Sequence, residues 1–358
     1  MSKRLVLAGY FGRGNLGDDA ILLGFDRAVN GLGYGYVTIC GSPEGLMRNY
    51  GLKGVGHLDF KAVQSAIEES DALVFPGGSV FQDVTSVRSV AYYANLIKAA
   101  KKADKKVVML GQGIGPLNRF LGKRLAVSAI SMVDAIAVRD AESAKDLQRL
   151  GVQRPSRVTA DMAFLLPEPP GEKEQAKFGV GGMKSIGVSA RPSGNDKGKH
   201  VVQVFSQLLR LLFDKGWVPA MIEMDREIDR PIIDRIGKSH GGKVPEIKGL
   251  TSPVELQKRL MRMDAVIGMR LHAGVLAATV GVPAYMVSYD PKVNAFANAM
   301  GLPTPQKIEG TTAERIFDGF QAFMKDRERV VASIRRRRDE LSKKAEENIE
   351  VLVSTVGK

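Results

Sequence analysis

The stretch that decides the fold is Ala265-Val266-Ile267-Gly268-Met269-Arg270-Leu271-His272, in which a short apolar run ends in a cation and an imidazole. The apolar run predicts a buried parallel strand, and a helical pattern begins directly after it. Arg270 and His272 therefore fall where a strand ends and a helix starts, the place at which α/β sheets bind anionic ligands. A second apolar run, Ala284 to Val287, ends in Ser288-Tyr289-Asp290-Pro291-Lys292, so the sequence predicts two neighbouring strand ends that face one crevice.

The same alternation of apolar runs and amphipathic segments continues along the chain and is typical of parallel βαβ units. In the first half, the predicted strands are Leu5 to Ala8, Tyr36 to Ile39, Ala72 to Phe75, Val107 to Leu110 and Ala135 to Val138. The predicted helices between them are Asp18 to Asn30, Lys61 to Glu68, Val87 to Lys102, Phe120 to Met132 and Ala141 to Leu150. In the second half, the pattern adds strands at Ser185 to Ser189, Val218 to Ile222 and Lys243 to Glu246, with helices at Val201 to Asp214 and Pro253 to Met263.

These elements predict an α/β fold with two Rossmann-like, doubly wound domains that face a cleft, the architecture called GT-B. The first predicted domain covers residues 1–166 and the second covers residues 181–310. Residues 167–180 are rich in Pro, Gly and Glu and break the periodicity, so they predict a linker. Residues 311–358 form a basic helical segment that is expected to cross back onto the first domain.

Composition limits the class of protein. A chain of 358 residues with 44% hydrophobic content is long enough for two domains. It lacks a run of ~18 apolar residues, which a membrane span needs, and Met1-Ser2-Lys3-Arg4 leads into a strand rather than a signal-peptide core, so a cytoplasmic location is expected. Cys40 is the only cysteine, which excludes an intrachain disulfide and, at the end of an apolar strand, predicts a buried and neutral thiol.

The chain carries a net charge of +13, and a run of four cations, Arg335-Arg336-Arg337-Arg338, lies in a helical pattern near the C-terminus. Three interpretations compete: a solvated helix face, a nucleic-acid patch and a surface that rests on anionic lipid. Acidic residues interleave with the cations, which favours the solvated face, and aromatic side chains that could stack on bases are nearly absent nearby. Nucleic-acid binding is therefore not expected, whereas docking on a membrane surface stays open.

Glycine-rich loops follow three strands of the first predicted domain. The first, Gly9 to Ala20, contains a Gly12-x-Gly14-x-x-Gly17 spacing that alone is weak evidence for a dinucleotide site. Asp18 and Asp19 at the helix start would repel a pyrophosphate, and Asp19 is expected either to act as a simple dipole partner or to take part in the site. Asp18, beside Asn15, is instead suited to hydrogen bonds with sugar hydroxyls.

The other two glycine loops are Pro76 to Asp83, which ends in Gln82-Asp83, and Gly111 to Pro116, which contains Gln112. Glycine lets the backbone approach a ligand closely, and the amide and carboxylate side chains supply partners for hydroxyl groups. Tight βα turns would explain one such glycine pair, but three loops on one sheet edge favour a polyhydroxylated ligand.

Together with further short motifs, these loops resemble the polysaccharide pyruvyl transferase family, and most closely the CsaB type associated with bacterial cell-wall polymers. The additional motifs are Arg139-Asp140 with Ser143, Asp161 with Ala163-Phe164, Arg191-Pro192, Met269 to His272, and Ser288 to Val293. The resemblance runs in order from about residue 5 to residue 300. Ser193 departs from it, because an aromatic residue is expected after Arg191-Pro192, and this puts stacking against the acceptor in doubt.

The resemblance implies transfer of the enolpyruvyl carbons of phosphoenolpyruvate, a co-substrate, onto two hydroxyls of one sugar, giving a cyclic ketal and free phosphate. No cofactor and no metal are implied. Phosphoenolpyruvate carries a phosphate and a carboxylate, so Arg270 and Arg191 are expected to clamp it with bidentate contacts. Arg139 is a weaker third candidate. The remaining residues expected to contact phosphoenolpyruvate are Leu271, Ser288 and Lys292.

His272 is the predicted general acid, or the donor to the leaving phosphate, because imidazole titrates near working pH. Asp18 or Asp161 is the expected base. The residues expected to bind the acceptor are Asn15, Gly17, Gln82, Asp83 and Gln112. The implied acceptor is a lipid-linked saccharide at the inner membrane face, which would make the protein peripheral to that membrane; formation of a homo-oligomer is left open.

Two rivals remain at this point. A GT-B glycosyltransferase or epimerase would use a nucleotide sugar and would need room and stacking for a base, for which the sequence offers no clear aromatic after Met269. A noncatalytic protein that binds a polyanion through its basic segment would show salt-sensitive binding and release no phosphate.

Overall fold

The computed structural model describes residues 3–84, 86–170, 182–242 and 244–357. The chain divides into two compact units. Unit 1 comprises Met1–Leu166 together with Leu341–Lys358, and unit 2 comprises Pro167–Glu340. Each unit is built on one parallel sheet.

The sheet of unit 1 has eight strands in the described residues, in the order β3-β2-β1-β4-β6-β7-β8 with β5 beside β6. The strands are β1 (Arg4–Phe11), β2 (Gly35–Cys40), β3 (Gly54–Gly56), β4 (Ala72–Phe75), β5 (Gly78–Phe81), β6 (Lys106–Ile114), β7 (Ala135–Val138) and β8 (Ser156–Val158). The helices are α1 (Leu16–Val29), α2 (Pro43–Tyr50), α3 (Phe60–Glu68), α4 (Val87–Lys102), α5 (Phe120–Ile130) and α6 (Ala141–Arg149). A short 3-10 helix follows at Met162–Leu165.

The strand order of unit 1 reverses between β1 and β4, which are hydrogen-bonded neighbours. At such a switch point the connections leave on opposite faces of the sheet, and a crevice opens beyond the carboxyl ends of the two strands. All four residues of β4 are buried, as expected for a central parallel strand with helices on both faces. The glycine loops after β1 and β4 therefore lie beside this crevice.

The sheet of unit 2 has five strands in the order β10-β9-β11-β12-β13. The strands are β9 (Lys184–Ser189), β10 (Trp217–Met221), β11 (Ala265–Gly268), β12 (Ala284–Ser288) and β13 (Gln306–Lys307). The helices are α7 (Lys199–Asp214), α8 (Arg226–Ser239), α9 (Pro253–Met261), α10 (Leu271–Thr279), α11 (Pro291–Met300), α12 (Ala313–Met324) and α13 (Arg327–Val356). The ends of β9, β11 and β12 are adjacent, because these three strands are neighbours in the sheet.

The C-terminal helix α13 begins in unit 2 and ends in unit 1, where Asn348 is fully buried. The Asn348 Oδ1 atom accepts from the Thr159 hydroxyl at 2.8 Å, and its Nδ2 atom donates to the Ala160 carbonyl at 3.0 Å. On the surface, Arg157 forms ion pairs with Glu347 and Glu350. The predicted return of the C-terminal helix is confirmed, but residues 311–358 are not a separate segment, since the unit boundary falls within α13 between Glu340 and Leu341.

Several elements differ from the sequence prediction. Helix α8 was not predicted because it is polar and contains Pro231, and β5 was not predicted because it lies inside a glycine loop. The elements α2, β3, β8 and α11 were also not predicted. The predicted strand at 243–246 is reduced to one bridge between Met221 and Glu246, and Lys243 itself lies outside the described residues. Most of the predicted linker, 171–180, also lies outside them.

Two further findings bear on the composition. Cys40 is buried, as predicted, and burial raises the pKa of its thiol to about 11. Within the described ranges, no helix combines the length and the apolar character that crossing a membrane requires.

Candidate functional site

Three cations gather at the carboxyl edge of the unit 2 sheet. Arg191 follows β9, Arg270 follows β11, and Lys292 begins α11 after β12. Around Tyr289, Arg191 Nη1 donates to the phenol oxygen at 2.8 Å, while the Arg191 Cζ and Lys292 Nζ atoms lie 4.3 and 5.5 Å from the ring centre. We refer to Arg191, Arg270, Tyr289 and Lys292 as the cation cluster.

The electrostatic effect of the cation cluster is visible at Tyr289. Burial alone would raise the pKa of Tyr289, but the charges of Lys292, Arg191 and Arg270 outweigh it, so the pKa lies below its usual value. A site that favours a negative phenolate also favours a bound anion at the same place. In addition, the Nε atom of Arg191 is buried and has no hydrogen-bond partner among the described residues. Buried donors are nearly always paired, so this one is a candidate contact for a bound anion.

Arg270 is held by a buried carboxylate. Its Nε atom donates to both oxygens of Asp229, at 3.0 and 3.2 Å, and its Nη2 atom contacts the same carboxylate. Burial alone would lower the pKa of Arg270, but the charge of Asp229 raises it, so the guanidinium stays charged. Asp229 is fully buried in the first turn of α8 and also accepts from the backbone N–H groups of Met224 and Asp225.

This pairing corrects the expected role of Arg270 as a bidentate clamp. The edge formed by Nε and Nη2 is occupied by Asp229, so a substrate anion can meet only the Nη1 side. Asp229 in turn fixes the orientation of that side. Sequence reasoning missed Asp229 because α8 was not predicted; Asp225 and Asp229, one helical turn apart at its start, would have been the signal.

The other predicted phosphoenolpyruvate residues lie at the same strand ends. His272 is a half-buried residue of the first turn of α10, whereas the Leu271 side chain is buried, so only its backbone N–H could meet a ligand. Ser288 Oγ donates to the Asp290 carbonyl at 3.3 Å. Asp290 caps α11 by accepting from Lys292 N at 3.0 Å, and it also lies 3.7 Å from Lys292 Nζ.

In unit 1, the first glycine loop is held by the start of α1. Asn15 caps the helix, with its Oδ1 atom accepting from Gly17 N at 3.0 Å and Asp18 N at 3.4 Å. Buried Asp19 accepts from Gly12 N and from the Tyr50 hydroxyl, both at 2.9 Å. Asp19 therefore has a structural role, because its hydrogen bonds fix the conformation of the loop.

Asp18 points to a different neighbour. Its carboxylate lies against Gly78, where an added Cβ would sit only 3.2 Å from Oδ1. Gly78 has a positive φ of 86°, which a residue with a side chain rarely adopts. The first two glycine loops thus meet at Asp18, which is half-buried, at the switch point of the sheet.

Three of the predicted acceptor residues serve the loops themselves. Buried Asp83 accepts from Asn118 N and Arg119 N, both at 2.7 Å, which occupies both carboxylate oxygens. Gln112 is fully buried, with its Nε2 atom donating to backbone carbonyls and its Oε1 atom unpaired in the described part of the chain. Gln82 accepts from the backbone of Val84. The expectation that Asp83 contacts a sugar is therefore wrong, because each of its buried oxygens accepts from a backbone N–H group. A contact between Gln112 and a sugar stays a prediction.

Arg139 and Asp161 form a pair within unit 1. Arg139 Nη1 lies 3.5 Å from Asp161 Oδ2, and Arg139 Nη2 donates to Ser79 at 3.1 Å. Gly113 makes room for the guanidinium, since a Cβ there would lie 2.6 Å from Nη2. The other Asp161 oxygen accepts from Ala163 N at 3.0 Å and so caps the 3-10 helix. Arg139 thus belongs to a buried network of unit 1.

Tyr289 was also absent from the predicted site, although it stands in the motif quoted after β12. The sequence feature that could have indicated Tyr289 is its position between Ser288 and Lys292 at the end of a strand. Among the described residues, no group of three or more His, Cys, Asp and Glu side chains is arranged to hold a metal ion.

Solved structures share the fold of this chain. A glycosyltransferase from Rickettsia africae ESF-5 matches with a TM-score of 0.64, covering 99% of this chain and 98% of its own, at 10% identity. The UDP-GlcNAc 2-epimerase from Methanocaldococcus jannaschii matches with a TM-score of 0.61, covering 98% and 99%, at 11% identity. The chain is therefore an α/β protein with two Rossmann-like domains of the GT-B type, as predicted.

A sequence profile of the polysaccharide pyruvyl transferase family matches residues 15–291, more than half of the chain. The chain belongs to this family. A curated relative, the amylovoran biosynthesis protein AmsJ from Erwinia amylovora, is 23% identical over 257 residues, which is 66% of this chain and 61% of AmsJ. The chain thus spans less than two thirds of that relative's length. The resemblance drawn from the motifs is confirmed for the family.

Proposed function

We propose that this protein transfers the enolpyruvyl group of phosphoenolpyruvate onto two hydroxyls of one sugar in a polysaccharide precursor, forming a pyruvate ketal and releasing phosphate. The cation cluster of unit 2 is the observation that carries the proposal. Phosphoenolpyruvate presents a phosphate and a carboxylate, and Arg191, Lys292 and the Nη1 side of Arg270 offer three cationic contacts at adjacent strand ends.

The reaction removes one proton from each of two sugar hydroxyls, and it delivers one proton to carbon and one to phosphate. The methylene carbon of phosphoenolpyruvate takes a proton, and the first sugar hydroxyl attacks the central carbon and loses its own. The bond from that carbon to the phosphate oxygen then breaks, and the second hydroxyl attacks and loses its proton. Two hydroxyl protons are released in total; one is matched by the new methyl group and one leaves with phosphate.

His272 is the proposed donor of the proton that reaches the methylene carbon or the leaving phosphate, since it stands in the first turn of α10, two residues after Arg270. Asp18 is the preferred base. Asp18 is half-buried at the meeting point of two glycine loops, whereas Asp161 is buried.

The acceptor is proposed to be a lipid-linked saccharide that carries a cell-wall polymer unit, consistent with the resemblance to the CsaB type. The name of AmsJ, which refers to amylovoran biosynthesis, supports a polysaccharide precursor in general terms. We therefore expect a cytoplasmic protein that works at the inner membrane face without a cofactor. The candidate acceptor contacts remain Asn15, Gly17, Gln82 and Gln112.

The test is an incubation of the purified protein with phosphoenolpyruvate and amino-sugar disaccharides that carry an aryl or lipid diphosphate. Phosphate release and the mass of the saccharide are followed together. Phosphate matched by the gain of one carboxyethylidene group supports the proposal and reveals the acceptor. The control is Arg191→Gln, which removes one cation of the cluster and should weaken the reaction.

The rival function is a glycosyltransferase or epimerase that uses a nucleotide sugar, because the solved structures with this fold include both. The same incubation decides between them. If a nucleotide sugar is consumed while phosphoenolpyruvate stays intact across the acceptor panel, the rival replaces the proposal.

A further inference from the structure

Unit 1 exposes three large apolar side chains close together. Val84, Phe120 and Leu121 are 55%, 76% and 58% exposed. Val84 follows Asp83, whose carboxylate accepts from the backbone of Asn118 and Arg119 just before Phe120. These bonds hold the loop after β5 against the first turn of α5. Single exposed apolar residues are ordinary, but a fixed group of them marks an interaction surface. We call Val84, Phe120 and Leu121 the apolar platform.

The chain segment that carries Phe120 and Leu121 also contributes basic residues, and it contains no acidic residue. Arg119, Lys123 and Arg124 are exposed, and the Arg124 Cζ atom lies 5.8 Å from the centre of the Phe120 ring. From Pro116 to Val133 the sequence contains no Asp or Glu. Exposed apolar side chains beside exposed basic residues are typical of surfaces that enter the interface of an anionic bilayer.

The basic run of α13, for which the sequence left membrane docking open, is arranged differently. Arg337 donates to Glu340, and Arg338 contacts Asp339, Glu168 and the Thr279 carbonyl. Arg335 packs against Gly281. Among the described residues, neither α12 nor α13 carries a large exposed apolar side chain. The arginines of α13 thus bind the protein's own groups, and the surface suited to a bilayer lies in unit 1.

We propose that the apolar platform, with Arg119, Lys123 and Arg124, docks unit 1 on an anionic lipid bilayer. The side chains enter the interface, and the cations meet the headgroups. Val84 of the platform follows β5, whose first residue, Gly78, lies against the candidate base Asp18. A bilayer bound there lies on the side of unit 1 that would receive a lipid-linked saccharide. The link to that acceptor rests on the proposed function; the docking itself does not.

The experiment measures sedimentation of the full chain with vesicles made of equal parts phosphatidylcholine and phosphatidylglycerol. Phe120→Ser combined with Leu121→Ser should lower the partition coefficient about tenfold or more. Two matched controls should leave it unchanged. Leu58→Ser with Phe60→Ser removes an equally exposed apolar pair of unit 1, 69% and 68% exposed. Lys343→Ser with Lys344→Ser removes two exposed cations of α13.

Insertion is read separately with Phe120→Trp. Its emission should shift to the blue when vesicles are added, against a constant background from Trp217, which is buried in unit 2. The docking proposal is overturned if the unchanged protein does not sediment, if either control lowers binding as much as the platform variant, or if the emission does not shift.

Turnover of a soluble aryl-diphosphate acceptor, measured without vesicles, keeps the two proposals apart. Intact turnover without vesicle binding overturns the docking alone. Vesicle binding without phosphate release from any acceptor overturns the proposed function alone.

Discussion

At the scale of single residues, the proposed site combines cations that bind an anion with one proton donor, His272. Replacing His272 with Ala should lower kcat about 100-fold or more while the KM for phosphoenolpyruvate changes little, because a proton donor acts in the transition state.

Arg191→Gln should instead raise the KM for phosphoenolpyruvate about tenfold or more by removing a charge-assisted contact. Steady-state kinetics on both variants check this. Unchanged turnover in the His272 variant would remove His272 from the mechanism.

Tyr289 gives a prediction about pH. Since the surrounding cations lower the pKa of Tyr289, its ionisation stabilises the folded protein in alkaline solution. The contribution is fully present above the unfolded pKa of about 10 and is lost as the pH falls through the folded value. The stability advantage over Tyr289→Phe should therefore grow as the pH rises from neutral towards about 10.

Urea titrations of both proteins at several pH values measure this difference. At neutral pH the Phe variant should already lose about 2 kcal/mol, because the hydrogen bond from Arg191 is removed. A difference that is constant with pH would show that the cations do not act on the phenol.

At the scale of elements, polar side chains that the sequence indicates as ligand contacts act as latches between loops and helices. Asp83 joins the loop after β5 to the start of α5, and Gly122 leaves room for it, since a Cβ there would lie 2.4 Å from Asp83 Oδ2. Asp83→Ala should lower the free energy of unfolding by about 3 kcal/mol, because two backbone N–H groups lose a buried, charged acceptor.

The matched control is Asp59→Ala. Asp59 also accepts from a backbone N–H, that of Ala62, but it is an exposed helix cap, so its loss should cost only about 1 kcal/mol. Chemical denaturation of both variants compares the two values. Equal losses would mean that Asp83 is an ordinary cap and that the platform beside it is not held by the latch.

At the scale of the whole molecule, α13 connects the stability of unit 1 to the C-terminus. Asn348→Ala should destabilise unit 1 by about 2 kcal/mol, since buried Thr159 and Ala160 lose their partner. Trp217, the only tryptophan, lies in unit 2 and reports on that unit, while circular dichroism reports on both. The variant should shift the dichroism transition to lower urea and leave most of the fluorescence transition in place. A fluorescence shift of the same size would contradict a local role in unit 1.

The sequence by itself determined the regular architecture and the family. Short apolar runs such as Ala72–Phe75, Ala135–Val138 and Ala265–Gly268 have the bounds that were predicted, because burial of a central parallel strand imposes a local pattern. The motifs at the strand ends are local too. From them, four residues were predicted to follow the strands after which the structure places them: Arg191, Arg270, His272 and Lys292.

The tertiary structure alone decided which of these side chains meet. Arg270 pairs with Asp229 across 41 positions, Arg191 with Tyr289 across 98, and Thr159 with Asn348 across 189. It also turned Asp83 inward, so a residue expected to bind a sugar fastens a loop instead. Local periodicity records whether a segment is a strand or a helix. Contacts between distant polar groups follow from strand order and helix packing, which no local pattern encodes.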